Sequence, residues 1–262
     1  MELNLEVCRT IAVQYGLPLQ FVVKEFFVFD VLSQITNLTA GEKNFVFKGG
    51  TALNKVYLKT LQRFSEDLDF DLDTESISET RDKCKEIAGK LSGFEVNEFR
   101  KVGGTIQFYC SFESPLGGKD HVRVDVAAKK IIAENKLELK PAFSAYAQRS
   151  VTGFLVYSIE DLVARKIHAL GTRTEGKDFY DVHSALPLCG KLDGALRKML
   201  ESEEISESPR EFLEKTIEKI RRADAKRLRN LTNPFIPAPA RPKDWLELKN
   251  DLAARLESSE VI

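Results

Sequence analysis

The chain has 262 residues, 43% hydrophobic and 30% charged, with a net charge of −1. That length can bury one large core or two modest ones, and a near-neutral molecule has no general attraction to nucleic acid or acidic membrane, so polyanion binding must be local. No run approaches the roughly 18–20 apolar residues of a membrane helix, the opening residues carry acids where a secretory signal is basic, and four scattered cysteines and three scattered histidines form neither a disulfide frame nor a zinc site; a cytoplasmic globular protein is expected.

Residues 1–40 read as helices, with apolar positions in 18–36 spaced for a broad buried face. "NFVFKGG" (44–50) is a short strand running into two glycines, and 51–61 is a short amphipathic helix opened by Thr51. "SEDLDFDLD" (65–73) alternates with period two, the strand pattern. Residues 76–93 form a helix with a Ser N-cap and a Gly near its end. Strands follow at 94–102, 105–113 and 121–129; glycine pairs between them mark short turns and predict antiparallel or mixed pairing. From Ser158 the pattern is helical: 158–171, which opens on Ser-x-x-Asp like a capping box, then 177–186, 192–200, 208–228 and 243–256. A four-proline connector, 231–242, precedes the last helix. The expected architecture is α+β over 1–156, a mixed or antiparallel sheet flanked by helices, followed by a helical domain over 157–262 that completes the active-site cleft.

The stretch "RFSEDLDFDLD" holds five acids in eleven residues, broken by Phe64, Leu68, Phe70 and Leu72. In a strand, residues i and i+2 share a face about 6.5–7 Å apart. Asp67 and Asp69 therefore point one way while Leu68 and Phe70 enter the core. Two carboxylates so placed can converge on one divalent cation or on two about 3.5–4 Å apart, and Mg²⁺ commonly shares its shell between carboxylates and phosphates. Asp125 in "HVRVDVA" is the candidate third ligand, because Val122, Val124 and Val126 alternate inward and leave Arg123 and Asp125 on the other face. Asp73 lies roughly 20 Å from Asp67 on a straight strand, so Asp71 and Asp73 are expected to be its solvated end. Upstream, strand, Gly49-Gly50-Thr51 and helix make a backbone that a phosphate can approach closely, with Thr51 capping the helix or bonding a phosphate oxygen.

"KGGTALNKVY…RFSEDLDFD" resembles the polymerase-β-type nucleotidyltransferases, and more narrowly the AbiEii/AbiGii abortive-infection toxin family, whose hallmark is KGGT-A-L followed by R-x-SxDLDF. "SIEDLVARKIHALGTRTEGKDFYDV" adds that family's helix with a Lys, then an Arg, then Lys-Asp-x-x-Asp. The resemblance runs from about Lys48 to Asp181. It implies a polymerase-β-like core in which Lys48, Gly49, Gly50, Thr51, Lys166 and Arg173 bind the nucleotide. It further implies that Asp67, Asp69 and Asp125 bind Mg²⁺ (or Mn²⁺), while Lys166 neutralises the triphosphate and Asp178 or Asp181 completes the pocket. The implied activity is transfer of an NMP from an NTP to a hydroxyl, with RNA, in particular a tRNA 3′ end, as acceptor, and with a partner antitoxin. Nucleotidylation of a protein Ser, Thr or Tyr, or a non-catalytic nucleotide-binding regulator, are the competing readings.

On spacing alone several of these residues have plainer roles. Lys166 reads as a solvated or snorkelling lysine. Asp178 and Asp181, i and i+3, point together, yet Asp178 can serve the helix dipole and Asp181 can pair with Arg173 or Lys177. Asp161, Arg165 and His168 fall near one helical face. His168 and His183 read as core or seam histidines, Cys110 as packing, and Arg63 as support for the acidic strand. The basic run 219–230 reads as a solvated face, or as an RNA-backbone surface if RNA is the acceptor.

Overall fold

A computed structural model describes residues 3–258; Met1 and Glu2, part of the opening segment read above, lie outside it. The chain divides into two compact units, Met1–Ile131 with Glu138–Val156, and Ile132–Leu137 with Tyr157–Ile262.

The first unit opens with helices α1 (Leu5–Tyr15) and α2 (Leu19–Leu38). Asn4 caps α1 and Gly16, in the left-handed region, ends it. Strand β1 (Phe45–Lys48) passes without a loop into α3 (Gly49–Ala52), a π-helical turn (Leu53–Tyr57) and a 3-10 turn (Lys59–Leu61). Then come β2 (Asp67–Leu72), α4 (Ile77–Ala88), β3 (Phe99–Val102), β4 (Thr105–Glu113) and β5 (Lys119–Ala128), followed by short strands β6 (Glu138–Leu139), β7 (Ala142–Ser144), β8 (Arg149–Val151) and β9 (Leu155–Val156).

Seven strands make one mixed sheet in the order β3-β4-β5-β2-β1-β9-β6, and β7 and β8 form a separate hairpin. Central β2 runs antiparallel to β1 and parallel to β5. Its alternation does what the sequence predicts. Leu68 and Phe70 are buried and join Phe45, Phe47, Val122, Val124, Val126, Ile106 and Phe108 on the apolar side, with the Phe45 and Phe70 rings stacked at 4.7 Å. Helices α2 and α4 pack on the sheet. The other face carries the acidic row.

The π-helical turn that follows the Gly-Gly-Thr segment carries a buried ion pair. Lys55 Nζ sits 2.5 Å from Glu25 of α2, both fully buried, and Ser144 donates to the same carboxylate at 2.7 Å. Burial pulls the Lys55 ammonium below its ordinary value, while Glu25 works to hold it charged.

The second unit is helical: α5 (Ile159–Thr172), α6 (Gly176–Ala185), α7 (Asp193–Ser202), α8 (Pro209–Arg222), α9 (Ala225–Thr232) and α10 (Trp245–Glu257). Helix α5 packs on α6, α7 and α8, and α8 on α10. Ser158 caps α5, and Ser208 with Glu211 forms a full capping box on α8. The single helix expected over 208–228 is two, because Asp224 accepts from Lys226 N and Arg227 N and caps a new one. The connector 231–242 folds partly into two 3-10 turns.

Candidate active site

The acidic row is set by strand register. Asp69 stands directly beside Asp125 on parallel β5, and Asp67 beside Arg123. Arg123 Nη2 reaches Asp67 Oδ2 at 2.5 Å, and its Nε lies 3.4 Å from Asp125 Oδ2. A guanidinium thus bridges two of the three carboxylates.

Asp125 sits deeper in the strand ladder than Asp67, with Asp69 beside it. Its side chain is 14% exposed, and its Oδ1 has no hydrogen-bond partner. Burial, reinforced by repulsion from Asp69 and Asp67, pushes its carboxyl up to about 6, against the pull of Arg123 and a hydrogen bond from Gln107. Gln107 lies opposite Asp125 on β4.

No group of three or more His, Cys, Asp or Glu side chains among the described residues is already gathered at metal-binding distance. Asp67 is instead ion-paired with Arg123. The donor set nevertheless fits a hard divalent cation. It offers carboxylate oxygens on adjacent strands, a buried Oδ1 without a partner, and a proton affinity raised by burial and by like charge, the second of which a cation would relieve.

Gly49 explains why this row can exist at the end of β1. Its φ is +76°, and a Cβ there would fall 2.0 Å from Asp69 Oδ2. Backbone conformation and space both demand glycine. Gly49→Ala is expected to cost roughly 1–3 kcal/mol and to displace the Asp69 carboxylate, as urea unfolding would show; unchanged stability would rule out this role.

Three expectations for this segment are corrected. The helix after β1 begins at Gly49, not Thr51. Thr51 does not cap it; fully buried, its hydroxyl donates to the Asp67 carbonyl and meets Ser65 Oγ at 2.7 Å, tying the turn to the acidic strand. Asp71 is not solvated. It is 1% exposed and ion-paired with Lys48, which antiparallel β1 sets opposite Asp69, the neighbouring position on the same face. Lys48, expected at the nucleotide, is therefore engaged within the sheet. Asp73 is exposed and accepts from Ile131 N at 3.0 Å. Gly50 carries the next position of α3, where its carbonyl accepts from Asn54 at 2.9 Å. Arg63 is buried and bonds the Phe64 carbonyl at 2.9 Å, the supporting role expected of it.

In the helical unit, Lys166 Nζ lies 2.8 Å from Asp178 and 2.9 Å from Asp181, both carboxylates fully buried. Arg173 Nε joins Asp178 at 2.8 Å while remaining half exposed. Burial works to raise Asp178, but Lys166 and Arg173 together hold its carboxyl below the ordinary range. Asp161 is structural. It accepts from the backbone of Glu134 and Asn135 and from Ser158 Oγ, and Arg165 bonds the Ile132 carbonyl, so both fasten residues 132–137 to α5. His168 and His183 pair with Glu203 and Asp251. Cys110 is a buried thiol pushed up to about 12. In the basic run, Lys219 reaches the Gly171 carbonyl, Arg221 pairs with Glu257 and Arg222 with Glu218. Sequence reasoning placed Arg123 on the carboxylate face but gave it no role; its alternation with Asp125 was the available signal.

Comparison with known proteins bears on this arrangement. Among curated proteins none matches the chain. Of solved structures, the nucleotidyltransferase toxin MenT4 of Mycobacterium tuberculosis is similar at a TM-score of 0.65 and 18% identity, over 97% of this chain and 90% of that one. JHP933 of Helicobacter pylori is similar at 0.51 and 15% identity, over 92% of each chain. At such identities the likeness concerns the fold, the mixed α+β arrangement of the polymerase-β-like nucleotidyltransferases. The sequence model of the nucleotidyl transferase AbiEii toxin family, of type IV toxin–antitoxin systems, matches residues 30–258. Spanning helix α2 to the end of α10, that match makes the chain a member of the AbiEii nucleotidyltransferase toxin family.

Proposed function

We propose that this chain transfers a nucleoside monophosphate from an NTP to an acceptor hydroxyl on RNA, a tRNA 3′ end being the first candidate, and that Asp67, Asp69 and Asp125 hold the divalent metal for it. The single observation that carries the reading is the register of Asp69 against Asp125, with one oxygen of Asp125 buried and unpartnered. Magnesium or manganese, when bound, would supply charge to the phosphates and acidity to the attacking hydroxyl.

The remaining work falls to the chain. Gly49, Gly50 and Thr51 let the backbone lie close to the triphosphate. Asp125, beside the metal-held hydroxyl, is the carboxylate placed to take up its proton. The hydroxyl oxygen bonds to the α-phosphorus, the α–β bridging bond breaks, and pyrophosphate leaves with that electron pair. Within the helical unit, Lys166 and Arg173 are the positive charges that the family resemblance assigns to the triphosphate, and Asp178 and Asp181 hold the Lys166 ammonium in place through ion pairs. As a type IV family member the chain would be restrained by a neighbouring antitoxin.

Asp67→Asn tests the assignment with labelled NTP and total RNA. Transfer should fall at least about a hundredfold with the circular dichroism spectrum unchanged, and full activity would sink the metal site. Label on protein instead of RNA would replace the acceptor and leave the chemistry.

A further inference from the structure

The carboxylate face of the sheet continues past the acidic row onto β4, β5 and β3, where it forms a hollow of about 600 Å³. On this face Tyr109 lies directly opposite Arg123, and Ser111 opposite His121. The Tyr109 and His121 rings meet edge to face at 5.0 Å and 81°. The Arg100 guanidinium stands 5.8 Å from the Tyr109 centroid. His121 and Arg100 are exposed and Tyr109 is half-buried. The core does not need these rings, since the apolar side chains of the same strands point the other way.

We infer that this hollow is the seat of the acceptor strand: an unpaired RNA 3′ end stacks its bases on Tyr109 and His121 and runs from there toward Asp125. The inference rests on the reaction proposed above and adds where the acceptor lies. Two features fit it to this occupant. Tyr109 is one strand away from Arg123, itself paired with Asp67, and His121 is four residues from Asp125, about 13 Å along β5. A base held on the rings therefore has its 3′ neighbours within reach of the carboxylates. Aromatic faces also accept any base, which suits recognition of an end rather than of an internal sequence.

The charges around the hollow define the binding further. Arg100 Nε donates to Glu98 at 2.9 Å, and Lys119 pairs with Glu95 at 3.0 Å, so the rim is close to neutral. A duplex backbone gains little there, whereas stacking is unaffected. Affinity should thus depend weakly on salt, with a log–log slope smaller in magnitude than about 2.

Fluorescence anisotropy on the full-length chain, with a short labelled single-stranded RNA bearing a free 3′ hydroxyl and no NTP or divalent metal, tests this. Tyr109→Ala and His121→Ala should each weaken binding about tenfold, and Tyr109→Phe should stay within about twofold of the parent. Circular dichroism melting confirms that each variant is folded. Both alanine variants binding as the parent does, or Tyr109→Phe losing as much as Tyr109→Ala, would overturn the inference. A parent that transfers label to RNA with an affinity indifferent to Tyr109 overturns the platform alone. A parent that binds RNA through Tyr109 yet transfers nothing overturns the reaction alone.

Discussion

Asp125→Asn should yield a protein that is harder to unfold at pH 7.5 and has lost about a thousandfold in transfer. The stability gain follows from linkage. Burial and the neighbouring carboxylates raise the folded-state value of Asp125 to about 6, so the folded chain binds this proton more firmly than the unfolded chain does. The contribution of this group to wild-type stability is full below the unfolded value near 4 and declines as pH rises through about 6. The neutral amide has no such decline. The advantage of the variant therefore opens between about pH 4 and 6 and is complete above it. Loss of a partner for Arg123 reduces it, leaving about 1–2 kcal/mol. Urea midpoints from pH 4 to 8 check the sign. A gap that shrinks with rising pH, or a variant that keeps its activity, would contradict the assignment.

Lys166→Met should do the opposite to the helical unit. The substitution keeps the bulk of the side chain and removes the ammonium between two fully buried carboxylates. Leaving buried charge uncompensated costs about 3–5 kcal/mol; Arg173, still on Asp178, favours the lower end. The pH dependence again has a definite sign. Asp178 is held below its ordinary value in the fold, so it contributes stability above the unfolded value near 4 that is lost as pH falls. Without Lys166 that contribution shrinks, and the deficit is largest at pH 7 and narrows toward pH 4. Removing one of the acids as well, in Lys166→Met/Asp181→Asn, should recover part of it. Denaturation of the single and double variants at pH 7 and pH 4.5 measures both effects. A single variant as stable as the parent at pH 7 would mean that the pair is not a buried counter-charge at all.

Most of what was legible in the sequence is what periodicity writes down. Leu68 and Phe70 alternate with Asp67 and Asp69, and that fixes a strand and its polar face. The three separated motifs gave the family. What could not be read is pairing. That β2 lies between β1 and β5 decides which residue stands beside Asp69 and which lysine covers Asp71, and no local pattern carries sheet order. The two-residue strands β6 and β9 are too short to show any period. Helices α8 and α9 read as one because their charged pattern continues across Ala223 and Asp224, while the cap that separates them is one aspartate. Thr51 reads as a cap for a related reason. A threonine after two glycines is a good cap, but Gly49, with its positive φ, already turns the chain two residues earlier.

The guanidinium of Arg123 has a bearing on how such a chain comes into being. Being covalently part of the polypeptide, it travels with the acids it compensates. The β2–β5 ladder therefore carries part of its own counter-charge from the moment its strands pair.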